Sequence, residues 1–592
     1  MIRVLAAIAI FTTIAFAQPQ PQQQGPWSEQ PPYPQQPQYG PQQPAGPPPA
    51  DADPQAAQHA VARISFMFGN VSVRRGDSAD LIAAAVNAPL TAGDRVVTGD
   101  NGRAEVQLDY ANFFRLAPGS EVRLGQLQRG RYQVEVAAGT IIYRVLRDSD
   151  AQVEISTPSI SLRPVHVGVY RLDVKPDGIT QITLRNGADG EVFGPRGSEA
   201  IHNNSSMMVR GSANDPEFQM AAPPAEDDFD RLSAQRDQTL ERAASPGRVN
   251  HDIYGTEDMD GYGHWVNDGG YGQVWVPTVA PGWAPYACGR WVWTAYYGWT
   301  WLGCEPWGWA PYHFGRWYYG SFGWAWWPGA AYGAAFWSPA LVGFFGWGAP
   351  GIGVGFGFGF GFANVGWVPL APYERFRPWY GAAGFRGAIF NVNVSNIYRN
   401  ARVANGITSM RAGEFGRGSV SAANMMRPGA GELARAGAVN GRLPMPVSNQ
   451  SRQFTSRAAN LQGAPRVAEN TRFFSSPSFS RGASRSGSTV NAGGVRSAES
   501  GAARGSSGGW QRINPGGSYN GAARGRSAAG GWGRFPAGGA RPEVRINPSI
   551  VQNPGSQSRG GPGGYSRPAA PRSGGSRGGG GSRGGGSHGG RK

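Results

Sequence analysis

Lysine is nearly missing from this 592-residue chain: only Lys175 and Lys592 occur, and arginine supplies the rest of the 55 basic residues. Cysteine is as scarce, with Cys288 and Cys304 alone. Two thiols fall short of the four ligands of a structural four-cysteine zinc site, and they exclude a small scaffold held together by several bridges. The seven histidines, at 59, 166, 202, 251, 264, 313 and 588, never fall at a metal-ligand spacing. No Gly-x-Ser-x-Gly elbow, lysine-bearing phosphate loop or Ser/His/Asp set is legible. Glu305 and Glu374 stand alone near aromatic residues, which does not make the paired carboxylates of a glycosidase. Long apolar runs are missing too, so no integral membrane span is expected. These absences point to a protein that is not an enzyme and carries no cofactor or metal.

Charge is unevenly distributed. The net charge is +16, yet residues 381–592 carry 29 Arg+Lys against 5 Asp+Glu, so the preceding part is net acidic. Between Arg316 and Glu374 no charged residue occurs at all. The 91 glycines and 47 prolines are unevenly spread, and much of the chain is not expected to pack a core.

Tryptophan is the abundant signal. Of 20 in the chain, 17 lie within residues 262–380. That stretch repeats itself at a spacing of 26: residues 272–291 read GQVWVPTVAPGWAPYACGRW and residues 298–317 read GWTWLGCEPWGWAPYHFGRW. Trp275/Trp301, Trp283/Trp309 and Tyr286/Tyr312 are equivalent pairs. Rings at alternate positions, as in Trp291/Trp293, Trp299/Trp301 and Trp307/Trp309, predict one-sided extended strands. Such units cannot bury their apolar faces singly and must stack. Arg290 and Arg316, each just before a Trp, are candidates to lie on ring faces. Within the uncharged run, residues 351–362 alternate Gly with Ile, Val or Phe, a packing or self-assembly element, since a lone strand cannot cross lipid.

The rest divides by composition. Residues 1–17 read as an export signal: Arg3, an apolar run, then Ala15-Phe16-Ala17 before Gln18. Residues 18–60 are a Pro/Gln-rich disordered linker. Residues 61–211 show alternating apolar runs at 104–108, 132–136, 140–145, 152–155, 167–174 and 179–184, with Asp177-Gly178 as a hairpin turn. They predict an all-β domain. Residues 225–245 predict a connecting helix docked by Phe229, Leu232 and Leu240. The aromatic repeat domain covers 250–380, and 381–592 is an Arg/Gly/Ser-rich tail expected to be disordered. The fold class is therefore mainly β, with one short helix between two β units and long disordered ends.

Two stretches resemble known families. Leu90-Thr91-Ala92-Gly93-Asp94-Arg95-Val96-Val97-Thr98-Gly99, then Gly102-Arg103-Ala104-Glu105-Val106-Gln107-Leu108, with Gly139, Thr157-Pro158 and Gly168 further on, resemble the FecR-type periplasmic domain over about residues 68–195. That family implies an exported β domain. Its signalling role belongs to a cytoplasmic arm and a membrane helix, neither of which precedes the domain in this sequence, so only the β domain is expected to carry over. Tyr262-Gly263-His264-Trp265, Val274-Trp275-Val276-Pro277, Glu305-Pro306-Trp307-Gly308-Trp309-Ala310-Pro311-Tyr312 and Val365-Gly366-Trp367-Val368-Pro369-Leu370 resemble a Trp/Tyr-rich bacterial family of unknown function, over about 225–380. It brings no activity.

In an exported chain Cys288 and Cys304 are expected to form a disulfide closing a loop of about 15 residues. A metal held by both thiols and His313 is the competing reading and lacks a fourth ligand. The expected function is a structural or interaction protein of the cell envelope, in the periplasm or on the outer surface, meeting an envelope polymer or protein. The alternative is a carbohydrate or peptidoglycan module stacking sugars on Trp275, Trp283, Trp301, Trp309, Tyr286 and Tyr312. A further alternative is an anionic polymer, such as nucleic acid, on the arginine-rich tail. Ring exposure separates the first two: binding needs the rings open, structure needs them buried.

Overall fold

The computed structural model describes residues 58–331, 334–348, 362–384, 388–391, 393–483 and 510–512. The export signal, nearly all of the Pro/Gln linker, the alternating run up to 361 and most of the chain after 483 lie outside the described residues. What is described is mainly β.

The first β unit is two sheets that share one strand. Arg131–Val145 pairs through its first half with Glu121–Gln128 and, in parallel, with Gln152–Ser156. Its second half pairs with Asn112–Leu116 and Gly168–Val174. The two apolar runs at 132–136 and 140–145 are thus one bent strand rather than two. Gly139 makes the bend: its φ is +86°, and a Cβ there would sit 2.4 Å from Ser120 Oγ and 2.5 Å from the Gly119 carbonyl oxygen. Only glycine tolerates both demands. Between the sheets lie Ile64, Val106, Phe114, Val134, Tyr143, Tyr170 and Leu184, all fully buried. The Asp177-Gly178 turn joins Gly168–Val174 to Thr180–Arg185, with Gly178 at φ +84°.

A helix, Asp228–Arg242, crosses one outer face. Asp227 caps it by accepting the N–H groups of Phe229 and Asp230, and the Asp230 carboxylate accepts the Asp227 N–H in return. Acidic residues in its first turn suit the helix dipole. Phe229 and Leu240 are buried as expected, but Leu232 is 42% exposed. Ion pairs replace the missing apolar contact: Arg115–Asp237 at 2.6 Å, Arg144–Asp237 at 2.8 Å and Arg171–Asp230 at 2.7 Å. Polar spacing on a helix says little about such pairs, because their partners come from strands far away in sequence.

The aromatic region is built from three successive hairpins: Gly263–Asp268 with Gly272–Pro277, Gly289–Thr294 with Gly298–Gly303, and Arg316–Gly320 with Gly323–Trp327. Each has a tryptophan pair directly across the ladder: Trp265/Trp275, Trp291/Trp301 and Trp317/Trp326. Each is led by Gly-x-Trp, at Gly263, Gly289 and Gly315. A Cβ on any of these glycines would come 2.6 Å from the indole of the opposite strand's tryptophan. The glycine is therefore the seat of the facing ring. The repeat is threefold, one unit more than the longer sequence match suggests. The Gly-Trp-Ala-Pro-Tyr segments are not strands. The first is a turn, with Tyr286 at φ +62°, and the second is the helical turn Trp309–His313. Proline, which cannot donate to a ladder, sits in both.

A tail beginning at 381 does not hold as expected. Ala388–Asn391, Thr408–Arg411 and Gly437–Asn440 complete a five-stranded sheet with Val342–Trp347 and Asn364–Pro369. Strands of four residues that add to an existing sheet need no apolar alternation of their own. Residues 448–480 then return along the first β unit. Phe454 enters its core at 2% exposure. The Asn460 and Gln462 carbonyls accept from Ser72 Oγ and the Asp100 N–H, and the Phe474 N–H donates to the Thr157 carbonyl. Buried Glu154 accepts from Ser475 Oγ at 2.7 Å and from the Ser476 N–H at 3.2 Å. The Arg123 and Arg131 guanidinium groups lie 5.2 and 4.0 Å from the centres of Phe473 and Phe479.

Candidate functional site at the junction of the two cores

The rings expected to stack on a ligand are mostly interior. Trp275, Trp301, Trp309, Tyr286 and Tyr312 are at most 1% exposed, and Trp283 is half-buried. The repeat brings equivalent residues together. Tyr286 and Tyr312 lie 4.7 Å apart between ring centres, and the Tyr286 hydroxyl donates to the Tyr312 carbonyl at 2.7 Å. Trp275 meets Trp307 edge-on at 4.9 Å, and Trp301 meets Trp291 at 5.2 Å. Trp283 donates its indole N–H to Glu305 at 2.9 Å. Burial raises the Glu305 carboxyl above the usual range.

Cys288 and Cys304 form a disulfide with Cα atoms 5.5 Å apart. It ties the strand entering the second hairpin to the one leaving it, and the Cys304 N–H donates to the Cys288 carbonyl at 3.1 Å. His313 takes no part. It is buried, its Nδ1 lies 2.8 Å from the Ser338 carbonyl, and its ring stacks on Trp337 at 4.8 Å. Burial pushes its pKa down to about 3. Arg290 and Arg316 lie on no ring among the described residues. Arg316 instead donates to the Gly315 and Glu374 carbonyls. His166 is exposed and faces Asp189 at 3.1 Å. Among the described residues no three His, Cys, Asp or Glu side chains are placed to hold a metal ion.

Polar chemistry gathers at the seam between the first β unit and the aromatic body. Arg63 is fully buried there. It pairs with Asp258 at 2.6 Å, donates to Asn87 and Gln107, and lies 5.9 Å from the Trp309 ring centre. Asn87 donates across the seam to the Pro306 carbonyl at 2.9 Å. Tyr254 donates to the Val61 carbonyl. Beside these contacts a cavity of about 340 Å³ opens.

The first β unit contributes Asp109, Tyr110, Arg129, Tyr132 and Asp150 to its walls. The segment between the helix and the first hairpin contributes His251, Asp252 and Tyr254, and the segment after the third hairpin contributes Phe336 and Trp337. Asp109 accepts the N–H groups of Ala111 and Asn112 at 2.8 and 2.7 Å, and the Asn112 amide bridges both of its oxygens. Burial raises its pKa, while these bonds and one from the Tyr132 hydroxyl pull the other way. Arg129 pairs with Asp252 and lies 4.9 Å from the Phe336 ring centre. Asp252 also accepts the Ala335 N–H at 3.1 Å, so one ion pair clasps all three walls. None of these cavity residues stood out as a site in the sequence. Asp109 and Tyr110 lie between two strands of the first β unit, and the walls contributed by Asp252 and Phe336 lie more than 100 positions away.

Residues 256–374 match the model of a family of unknown function (DUF6600). No curated protein matches the chain. A crystal structure described as an anti-sigma factor from Parabacteroides distasonis is similar at 17% identity and a TM-score of 0.20, covering 24% of this chain and 64% of that one. A second crystal structure of the same description, also at 17% and 0.20, covers 27% and 72%. The chain thus spans less than two thirds of the first of these structures.

Proposed function

We propose that this chain is an exported, non-enzymatic structural and interaction protein of the cell envelope, built on a FecR-type β domain and a tryptophan-packed body. The observation that carries this reading is burial. Five of the six repeat rings singled out in the sequence are at most 1% exposed. Loss of a fully buried aromatic costs about 3–5 kcal/mol, so such rings act as framework. The disulfide supports it, because a stable bridge needs an oxidising compartment, and so does the leader-like start of the sequence. A sugar-stacking role on the repeat rings is disfavoured, since of the six only Trp283 reaches solvent appreciably.

The test is fractionation of a bacterium expressing the full chain, with thiols trapped at lysis. The expected result is protein in the envelope or medium with Cys288 and Cys304 unavailable to alkylation until reductant is added. Protein confined to the cytosol with both thiols reactive overturns the reading.

A further inference from the structure

The seam cavity has the size and chemistry of a ligand site. At about 340 Å³ it falls in the range of small-molecule sites, and it lies between two packed units, where such sites concentrate. Its charge is unbalanced. Three carboxylates, Asp109, Asp150 and Asp252, face one guanidinium, Arg129, and two imidazoles, His59 and His251. Arg129 and His251, the latter at 3.6 Å, both lie against Asp252, which leaves Asp109 and Asp150 without a basic side chain paired to them among the described residues of the cavity. All three act on the same point: burial first, then the charges of Asp109, Asp150 and Asp252, raise the pKa of Tyr110, while a Ser149 bond opposes. Asp109 is held by amide N–H groups and hydroxyl rather than by a cation. The remaining wall is aromatic, with Tyr110, Tyr254, Phe336 and Trp337. Excess carboxylate beside ring faces is the environment that recognises an organic cation, because the ring quadrupole and the carboxylate both attract it.

We propose that the seam cavity binds a small organic ammonium compound, with Asp109 and Asp150 supplying the counter-charge and Tyr110, Phe336 and Trp337 the ring faces. The ligand contacts both units and stiffens the seam that Arg129 and Asp252 clasp. This goes beyond the framework reading and stands whether or not the chain is exported.

The test is calorimetric titration of the full chain with glucosamine, with N-acetylglucosamine as the same ring without the charge. Choline serves as an ammonium ion without the sugar. Saturable binding of glucosamine or choline is expected, with no heat from N-acetylglucosamine at concentrations up to about 10 mM, where even millimolar affinity registers. Asp109→Asn is expected to weaken binding at least about tenfold, the cost of removing a close, partly desolvated charge. Because Asp109 also shapes its turn, Asp150→Asn on the exposed rim is the second variant, with an unchanged melting curve and a loss of about threefold expected. Equal binding of N-acetylglucosamine, silence of both ammonium probes, or full affinity in both variants overturns the proposal.

Discussion

Gly289→Ala tests the rule that each hairpin seats an indole over its leading glycine. The new Cβ would lie 2.5 Å from the Leu302 carbonyl oxygen and 2.6 Å from Trp301 Cζ2. Neither neighbour can yield easily. Leu302 is in the ladder opposite Arg290, and Trp301 is fully buried against Trp291, Tyr286 and Trp367. Gly289 is itself pinned on the other side, exchanging backbone bonds with Val420 at 2.6 and 3.3 Å. Overpacking by one methyl group costs about 1–3 kcal/mol where neighbours can shift, so about 3 kcal/mol or more is expected here. The control is Gly418→Ala, which meets nothing within 4 Å, and for which a change within about 0.5 kcal/mol is expected. Urea unfolding followed by near-ultraviolet dichroism reads both, since the signal comes from the packed indoles. If Gly289→Ala unfolds at the control's midpoint, the indole-seat argument fails, and the three Gly-x-Trp positions need another explanation.

Replacing both cysteines by serine should cost about 3 kcal/mol, the value for a closed loop of this length; an unchanged midpoint under oxidising conditions would show that the bridge constrains nothing. Phe454→Ala should cost about 3–5 kcal/mol and free residues 448–480 from the first β unit. Limited proteolysis should then cut within that segment while the aromatic body stays intact, and continued resistance would contradict the docking. His313 gives a pH dependence. An unfolded chain protonates it below about pH 6.5, whereas the folded chain does so only near 3. Its contribution is therefore fully present above 6.5 and is lost as pH falls towards 3, by about 1.4 kcal/mol per unit. The stability gap between wild type and His313→Gln should narrow as pH drops from about 7 to 4, and parallel pH profiles would refute the assignment.

Local chemistry in the chain was enough for several features. Alternating runs marked the strands at 104–108, 152–155 and 179–184, and Asp177-Gly178 marked its hairpin, because strand period and turn preference act between neighbours. Asp227 and Asp230 capping the helix is local for the same reason. The 26-residue spacing announced stacked hairpins, and two cysteines 16 positions apart left one intramolecular pairing.

Other features depended on pairs far apart in the chain. No periodicity reveals that residues 132–136 and 140–145 are one strand serving two sheets, because that depends on four partner strands. The docking of residues 448–480 is invisible in composition. Its apolar anchors, Phe454, Phe473 and Phe479, follow no strand or helix period, and the serine hydroxyls and backbone carbonyls that add to them carry no hydrophobic signal. Ring exposure was likewise undecided in one dimension, since a row of tryptophans reads the same whether a sheet covers it or water does. The seam cavity is the extreme case: Asp109, Asp252 and Phe336 meet only after two cores have folded and packed. Secondary structure follows from each residue's own geometry and that of its neighbours, and so the sequence states it. A site is a coincidence of distant side chains, set by how whole units pack, and only the tertiary structure holds it.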